Sequence, residues 1–207
     1  RLARYLKEGS RGRTRRQTRH KACAPAVRIV VEKSVEQREG MVRDQVLMKP
    51  IVYLESSVIS YLTSRLNRDV VIAGRQAITL DWWENHRHRF ELRISILVEE
   101  EISRGDATAA RLRLETVADI PRLIISEEAT RIADLLLARG SVPMGSEEDA
   151  LHIGIAAAQG ADFLLTWNFK HINNAETKAV ITRLVESCGY VCPQLCSPEE
   201  LGGMSDD

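Results

Sequence analysis

From residue 49 onward the apolar positions alternate between short continuous runs and longer stripes at helical spacing. The run Ile51–Leu54, "IVYL", has the unbroken apolar character of a strand buried on both faces. It passes into Glu55, Ser56 and Ser57, and then into a stripe at Val58, Ile59, Leu62 and Leu66, so a helix capped by one of the serines is expected. A second helix is expected over 70–85. "FELRISIL" then alternates as a strand and runs into a short helix, "VEEEISRGD", closed by Gly105. Asp106 or Thr108 is placed to cap a helix reaching residue 115, and "RLIIS" reads as a short strand. An amphipathic helix over 127–139 stops at Gly140, and "SEEDALHIGIAAAQG" gives a helix over 147–159 that is apolar on most sides and therefore buried. "DFLLT" is a strand, 174–187 a helix, and "YVCPQLC" the final strand. This rhythm predicts an α/β fold with a mainly parallel sheet covered by helices on both faces.

Charge divides the chain differently. The 29 Lys/Arg and 29 Asp/Glu cancel overall, yet residues 1–47 hold 13 Lys/Arg against 5 Asp/Glu (net +8) and residues 48–207 hold 16 against 24 (net −8). Residues 1–26 are Arg-rich without a sustained period, and only 27–31 offer a β-like run before a polar segment. The chain starts at Arg1, and Met48 stands just before the first convincing strand. The expectation is a folded domain over 48–207 preceded by a basic extension over 1–47 that is disordered or non-native. A basic arm for nucleic acid is the sharper alternative for the same residues. No apolar stretch approaches the ~18 residues that span a bilayer, and no export signal is expected. Of Cys23, Cys188, Cys192 and Cys196, the last three recur at x3 spacing with Pro193 between two of them. That pattern lacks a fourth zinc ligand and does not suggest a disulfide framework.

In parallel sheets, ligands bind outside the carboxyl ends of the strands, so the acids that fall there carry the chemistry. Glu55 ends the first strand. A carboxylate at that spot also suits the helix dipole. In the triplet Glu99-Glu100-Glu101, the inward face is set by Leu97, Val98 and Ile102. Glu101 shares that face, Glu99 does not, and Glu100 is intermediate. Asp149 opens the most apolar helix, and Ser146-x-x-Asp149 also fits a capping box. His152, one turn on, reads as a hydrogen-bonded histidine at the core rim in preference to a ligand. Thr166 and Asn168 end the fourth strand with oxygens able to position water or phosphate, whereas Asp162 falls at the strand's opposite end. Carboxylates from separate elements meeting in one pocket suit a hard cation such as Mg²⁺, which can activate water and stabilise charge on a phosphodiester.

"IVYLESSVISYLTSR", "ISILVEEEISRGD" and "EEDALHIGIAAAQGADFLLTWNFKHINNA", in that order, resemble the PIN-domain proteins, and more closely the VapC-like toxins of VapBC-type (type II) toxin–antitoxin pairs. The resemblance covers roughly residues 49–200. It implies a three-layer α/β/α sandwich and a Mg²⁺- or Mn²⁺-dependent endoribonuclease in the cytoplasm. It further implies metal ligands at Glu55, Glu101 and Asp149, and a fourth site position at Asn168. An RNA substrate, a cognate antitoxin that blocks the acidic pocket and a homodimer follow from the same likeness, with no membrane role. Arg65, Arg104 and Lys170 are candidates for holding the RNA backbone. Two positions depart from the family pattern, since Glu55 and Asn168 stand where the family more usually has Asp. An aspartyl-phosphate phosphohydrolase would want Asp-x-Asp where this chain has Glu-Ser-Ser. A PIN-like scaffold that binds RNA or a protein without cutting is the alternative.

Overall fold

The computed structural model describes residues 48–202. The expectations placed on 1–47, the basic extension and Cys23 among them, lie outside the described residues. Five strands form one parallel sheet: β1 (Ile51–Leu54), β2 (Glu91–Ser95), β3 (Arg122–Leu123), β4 (Phe163–Leu165) and β5 (Gln194–Cys196). Their order is β3-β2-β1-β4-β5. The helices are α1 (Ser56–Thr63), α2 (Val70–Asp81), α3 (Ile96–Ile102), α4 (Ala107–Thr116), α5 (Glu127–Ala138), α6 (Glu147–Ala158), α7 (Lys178–Ser187) and α8 (Pro198–Gly202). They pack in two groups, α5 with α6 and α7, and α1 with α2, α3 and α4, giving the α/β/α sandwich expected from the alternation. Among the described residues no helix is long and apolar enough to cross a membrane.

The order of the strands locates the functional edge. The chain leaves β1 toward β2 and β3, then crosses back to lay β4 on the other side of β1. The carboxyl ends of β1 and β4 therefore flank the point where the winding reverses, which is where open α/β sheets leave a crevice. Glu55 follows β1 directly and Thr166 follows β4, and the Glu55 amide donates to the Leu165 carbonyl at 3.0 Å. The opposite end is closed by Asp162, whose Oδ2 accepts from the Ile51 amide at 2.7 Å. Its exclusion from the site follows from that position.

Several boundaries differ from the periodicity, each for a local reason. The helix expected over 70–85 leaves α geometry at Asp81 and continues as a wider π turn (Trp82–His86) that swings Trp82 into the core against Phe90. "RLIIS" pairs over only two residues, and Ile124 beyond it is exposed, as suits a short edge strand. In "YVCPQLC" the strand begins only after Pro193, which has no amide proton for a ladder. Residues 174–177 form a turn ahead of α7, whose first helical residue is Lys178. Cys188, Cys192 and Cys196 are free thiols, and burial pushes the Cys196 thiol up to about 12.

α5 and α6 pack tightly against each other. A Cβ placed on Gly154 of α6 would lie 2.2 Å from the Ala129 carbonyl oxygen of α5. Small residues along "GIAAA" let residues 150–157 of α6 run buried between α5 and the sheet, and this fixes the height at which Asp149 and His152 emerge.

Candidate functional site

Glu55 is buried, 6% exposed, and almost wholly satisfied by its own surroundings. Its Oε2 accepts from the Ser57 amide at 3.1 Å, from the Thr166 hydroxyl at 2.8 Å and from the Ser57 hydroxyl. Glu55 itself is thus the N-cap of α1, which corrects the expectation that a serine caps this helix. Its reach of one extra methylene lets it cap the helix and bridge to β4 at once. Oε1 is different, taking a single proton from the Ser56 hydroxyl at 2.9 Å. One carboxylate oxygen is anchored and the other is open to a cation.

Glu101 arrives from α3 on the face shared with Leu97 and Val98, and its side chain is 15% exposed. Of the Glu99–Glu101 triplet it is the one whose carboxylate enters this cluster; Glu99 pairs outward with Arg122 at 2.6 Å, and Glu100 is no member of the group that follows. The Ser56 hydroxyl, which donates to Glu55 Oε1, also favours the charged form of Glu101. Behind Glu101 stands His152, fully buried on α6, with Nε2 3.0 Å from Glu101 Oε2 and Nδ1 2.8 Å from the Tyr53 hydroxyl. Tyr53 in turn lies 2.7 Å from the Ser95 hydroxyl. Glu55, Glu101 and His152 offer ligand atoms within 4.8 Å of one another, a spacing that a single ion can bridge.

The electrostatics of the pair follow from its burial. Desolvation alone would raise Glu101, but the charge and hydrogen bond of His152, with Ser56 and Arg104, outweigh it and hold the carboxyl below its ordinary value of 4.5. Desolvation alone would lower His152, but Glu101, helped by Glu55 and Asp149, raises it above 6.5. In the cation-free protein the stabilising contribution of Glu101 is present above 4.5 and lost as pH falls through its depressed folded value. That of His152 is present below 6.5 and lost as pH rises through its elevated folded value. Urea midpoints measured with chelator should therefore show the wild type's advantage over Glu101→Gln peaking between those two values. A difference that stays flat across that range would contradict the pairing.

Asp149 opens α6 as expected, but both of its oxygens are engaged. Oδ1 accepts from Asn168 Nδ2 at 2.9 Å, and Oδ2 lies 2.7 Å from His171 Nδ1. Asn168 Oδ1 accepts the His171 amide at 3.0 Å, closing a three-residue clasp. The capping box is not formed: the Ser146 hydroxyl lies 3.1 Å from His171 Nδ1 and makes no cap bond. The structure brings Glu55 and Glu101 together, and the third group in bridging range is His152, with Asp149 acting on it electrostatically. His171, Tyr53 and Ser95 were not singled out from the sequence. His171 carries no periodic signal there, whereas Tyr53 and Ser95 are polar atoms in otherwise apolar strands, which is the available clue.

Of the basic candidates, Arg65 and Lys170 are exposed. Arg104 is engaged with Glu148 at 3.1 Å and also acts on Glu101, so it belongs to the rim of the acidic cluster. The donor set fits a hard divalent cation at the two carboxylates: Glu55 keeps an open oxygen, Glu101 is charged, and both His152 nitrogens are already hydrogen-bonded, which suits the imidazole to orienting Glu101 from behind. Compared with family models, curated proteins and solved structures, the chain gives no match.

Proposed function

We propose that this protein is a metal-dependent endoribonuclease of the PIN type, acting as the toxin of a VapBC-type pair. The observation that carries the reading is the meeting of Glu55 and Glu101, with His152, at the strand-order reversal, their ligand atoms within 4.8 Å of one another. Two carboxylates brought together there, with Glu55 Oε1 taking a single hydrogen bond, form a site that a cation completes. Mg²⁺ or Mn²⁺ bound there would supply an activated water and charge stabilisation for phosphodiester hydrolysis.

The residues divide the remaining work. Glu55, locked by Ser57 and Thr166, and Glu101, oriented by His152, hold the cation. Asp149, clamped between Asn168 and His171, fixes the loop after β4 against α6 and adds negative charge at the pocket edge. The neutral Asn168 serves as the clasp's hinge. The cognate antitoxin, the homodimer and a cytoplasmic location come with this reading through the family resemblance.

Cleavage of structured RNAs by the full-length protein tests it. Activity should appear with Mg²⁺ or Mn²⁺ and vanish on chelation, and Asp149→Ala should lower the rate by about 10–100-fold. Cleavage that survives both chelation and the substitution would reject the metal–carboxylate mechanism. RNA binding without any cleavage would favour the scaffold, a reading that the internally satisfied Glu55 Oε2 and the neutral Asn168 support.

A further inference from the structure

We infer that Phe169 and Arg75 form a stacking platform for an unpaired base of single-stranded RNA beside the acidic pocket. This rests on the nuclease reading for the identity of the ligand, and deepens it by naming where the strand is held.

The platform has a fixed floor. The Trp167 amide donates to the Ser57 hydroxyl at 2.9 Å and its indole Nε1 donates to the Thr79 hydroxyl at 2.8 Å, with the residue 4% exposed. Tyr61 packs on that indole with centroids 5.8 Å apart. Phe169 meets it edge to face at 6.0 Å and 67°, yet is itself 39% exposed. A single exposed ring is ordinary on a protein surface. The difference here is the cation seated on it. The Arg75 guanidinium lies 5.5 Å from the Trp167 centroid and 5.1 Å from that of Phe169, within cation–π range of both. Among the described residues no carboxylate pairs with it, its remaining polar contact being the Tyr61 hydroxyl at 3.4 Å. A guanidinium within reach of two aromatic rings and paired with no carboxylate keeps N–H donors for a phosphate.

Position ties the platform to the carboxylates. Thr166, immediately before Trp167, bonds Glu55, and Asn168, between Trp167 and Phe169, bonds Asp149. The Phe169 amide donates to the Trp167 carbonyl at 3.0 Å, so the turn is tight and the ring cannot drift far from the pocket. A partly exposed aromatic ring with an adjoining cation is a recurrent way of holding single strands without sequence preference.

The test is fluorescence anisotropy of a short labelled oligouridylate with the full-length protein in chelator, so that the strand stays intact. Phe169→Leu, which keeps apolar bulk without a π face, should weaken binding about tenfold, and Phe169→Tyr should stay within about twofold of wild type. Arg75→Gln should reduce the salt slope by about one phosphate's share, whereas Phe169→Leu should leave it unchanged. Leu binding as tightly as Phe, or no binding by the wild type, overturns the platform. So does a Phe169→Leu protein whose self-association changes in sedimentation while its RNA binding does not, since the surface is then a protein contact. Metal-dependent cleavage is followed in parallel. Binding with the Phe169 pattern and no cleavage keeps the platform and removes the nuclease reading; cleavage with binding indifferent to Phe169 does the reverse.

Discussion

Gly154→Ala is expected to destabilise the protein by about 3 kcal/mol or more, at the upper end of overpacking costs. The added methyl would lie 2.2 Å from the Ala129 carbonyl oxygen and 3.0 Å from its carbonyl carbon. Both are backbone atoms, so no rotamer change relieves the overlap, and α5 and α6 must part. Alanine's better helix propensity returns only about 1 kcal/mol, which does not reverse the sign. In a domain of this size the melting temperature should fall by roughly 6–12 °C. Ala129→Gly should not rescue it, because the obstructing atoms remain. Gly74→Ala in α2 is the matched control: nothing lies within 4 Å of its added Cβ, so the same propensity term should stabilise by up to about 1 kcal/mol. An unchanged melting point for Gly154→Ala would mean that the two helices are less tightly fixed than described. Because α6 carries both Asp149 and His152, the variant should also lose activity at temperatures where it is still folded.

Glu101→Gln and Glu101→Ala should separate the two roles of that side chain. Glutamine keeps an oxygen for His152 Nε2–H but removes the charge. We expect a folded protein whose metal-dependent cleavage falls by about 10²-fold or more. Alanine also strips the buried imidazole of its partner, and stability should drop by about 3 kcal/mol, the lower range for breaking a buried pair, since His152 can release its proton. The pH dependence gives an independent readout. With the Glu101 charge gone, burial, the largest influence on His152, is opposed by Glu55, Asp149 and the glutamine oxygen alone, and its folded pKa should fall below the ordinary value. The sign of the linkage then inverts. In the wild type the His152 contribution is lost as pH rises, whereas in Glu101→Gln stability should be lost as pH falls through the same region. Denaturation curves that keep the wild-type slope in Glu101→Gln would dissociate His152 from Glu101.

The alternation of apolar runs and stripes was sufficient to place the five strands and the helices between them, because burial on both faces of a parallel sheet leaves a plain trace in composition. It also selected Glu101 over Glu99, since a face is a matter of spacing alone. It did not find the partner that gives Glu101 its charge. His152 lies between Leu151 and Ile153 in the stretch of α6 that is buried throughout, where periodicity marks no special direction, and the carboxylate it meets is 51 residues away in the chain. The cap of α1 was assigned to the serines for a similar reason. Local preference favours Ser at that position, and only the approach of β4, which brings Thr166 to Glu55, makes the longer acid the better cap. The clasp of Asp149, Asn168 and His171 joins a helix start to a distant loop, and no local pattern encodes it.

The line from Glu101 through His152 and Tyr53 to Ser95 contains two hydroxyl groups whose hydrogens turn freely. With a neutral imidazole, Ser95 donates to Tyr53 and Tyr53 to His152 Nδ1; with an imidazolium, Nδ1 donates to Tyr53 and Tyr53 to Ser95. The heavy-atom separations along the line, 2.7 and 2.8 Å, suit a hydrogen bond in either direction. A change of charge at the pocket is therefore absorbed by reversing the direction of a short wire inside the sheet, leaving β1, β2 and α6 where they stand.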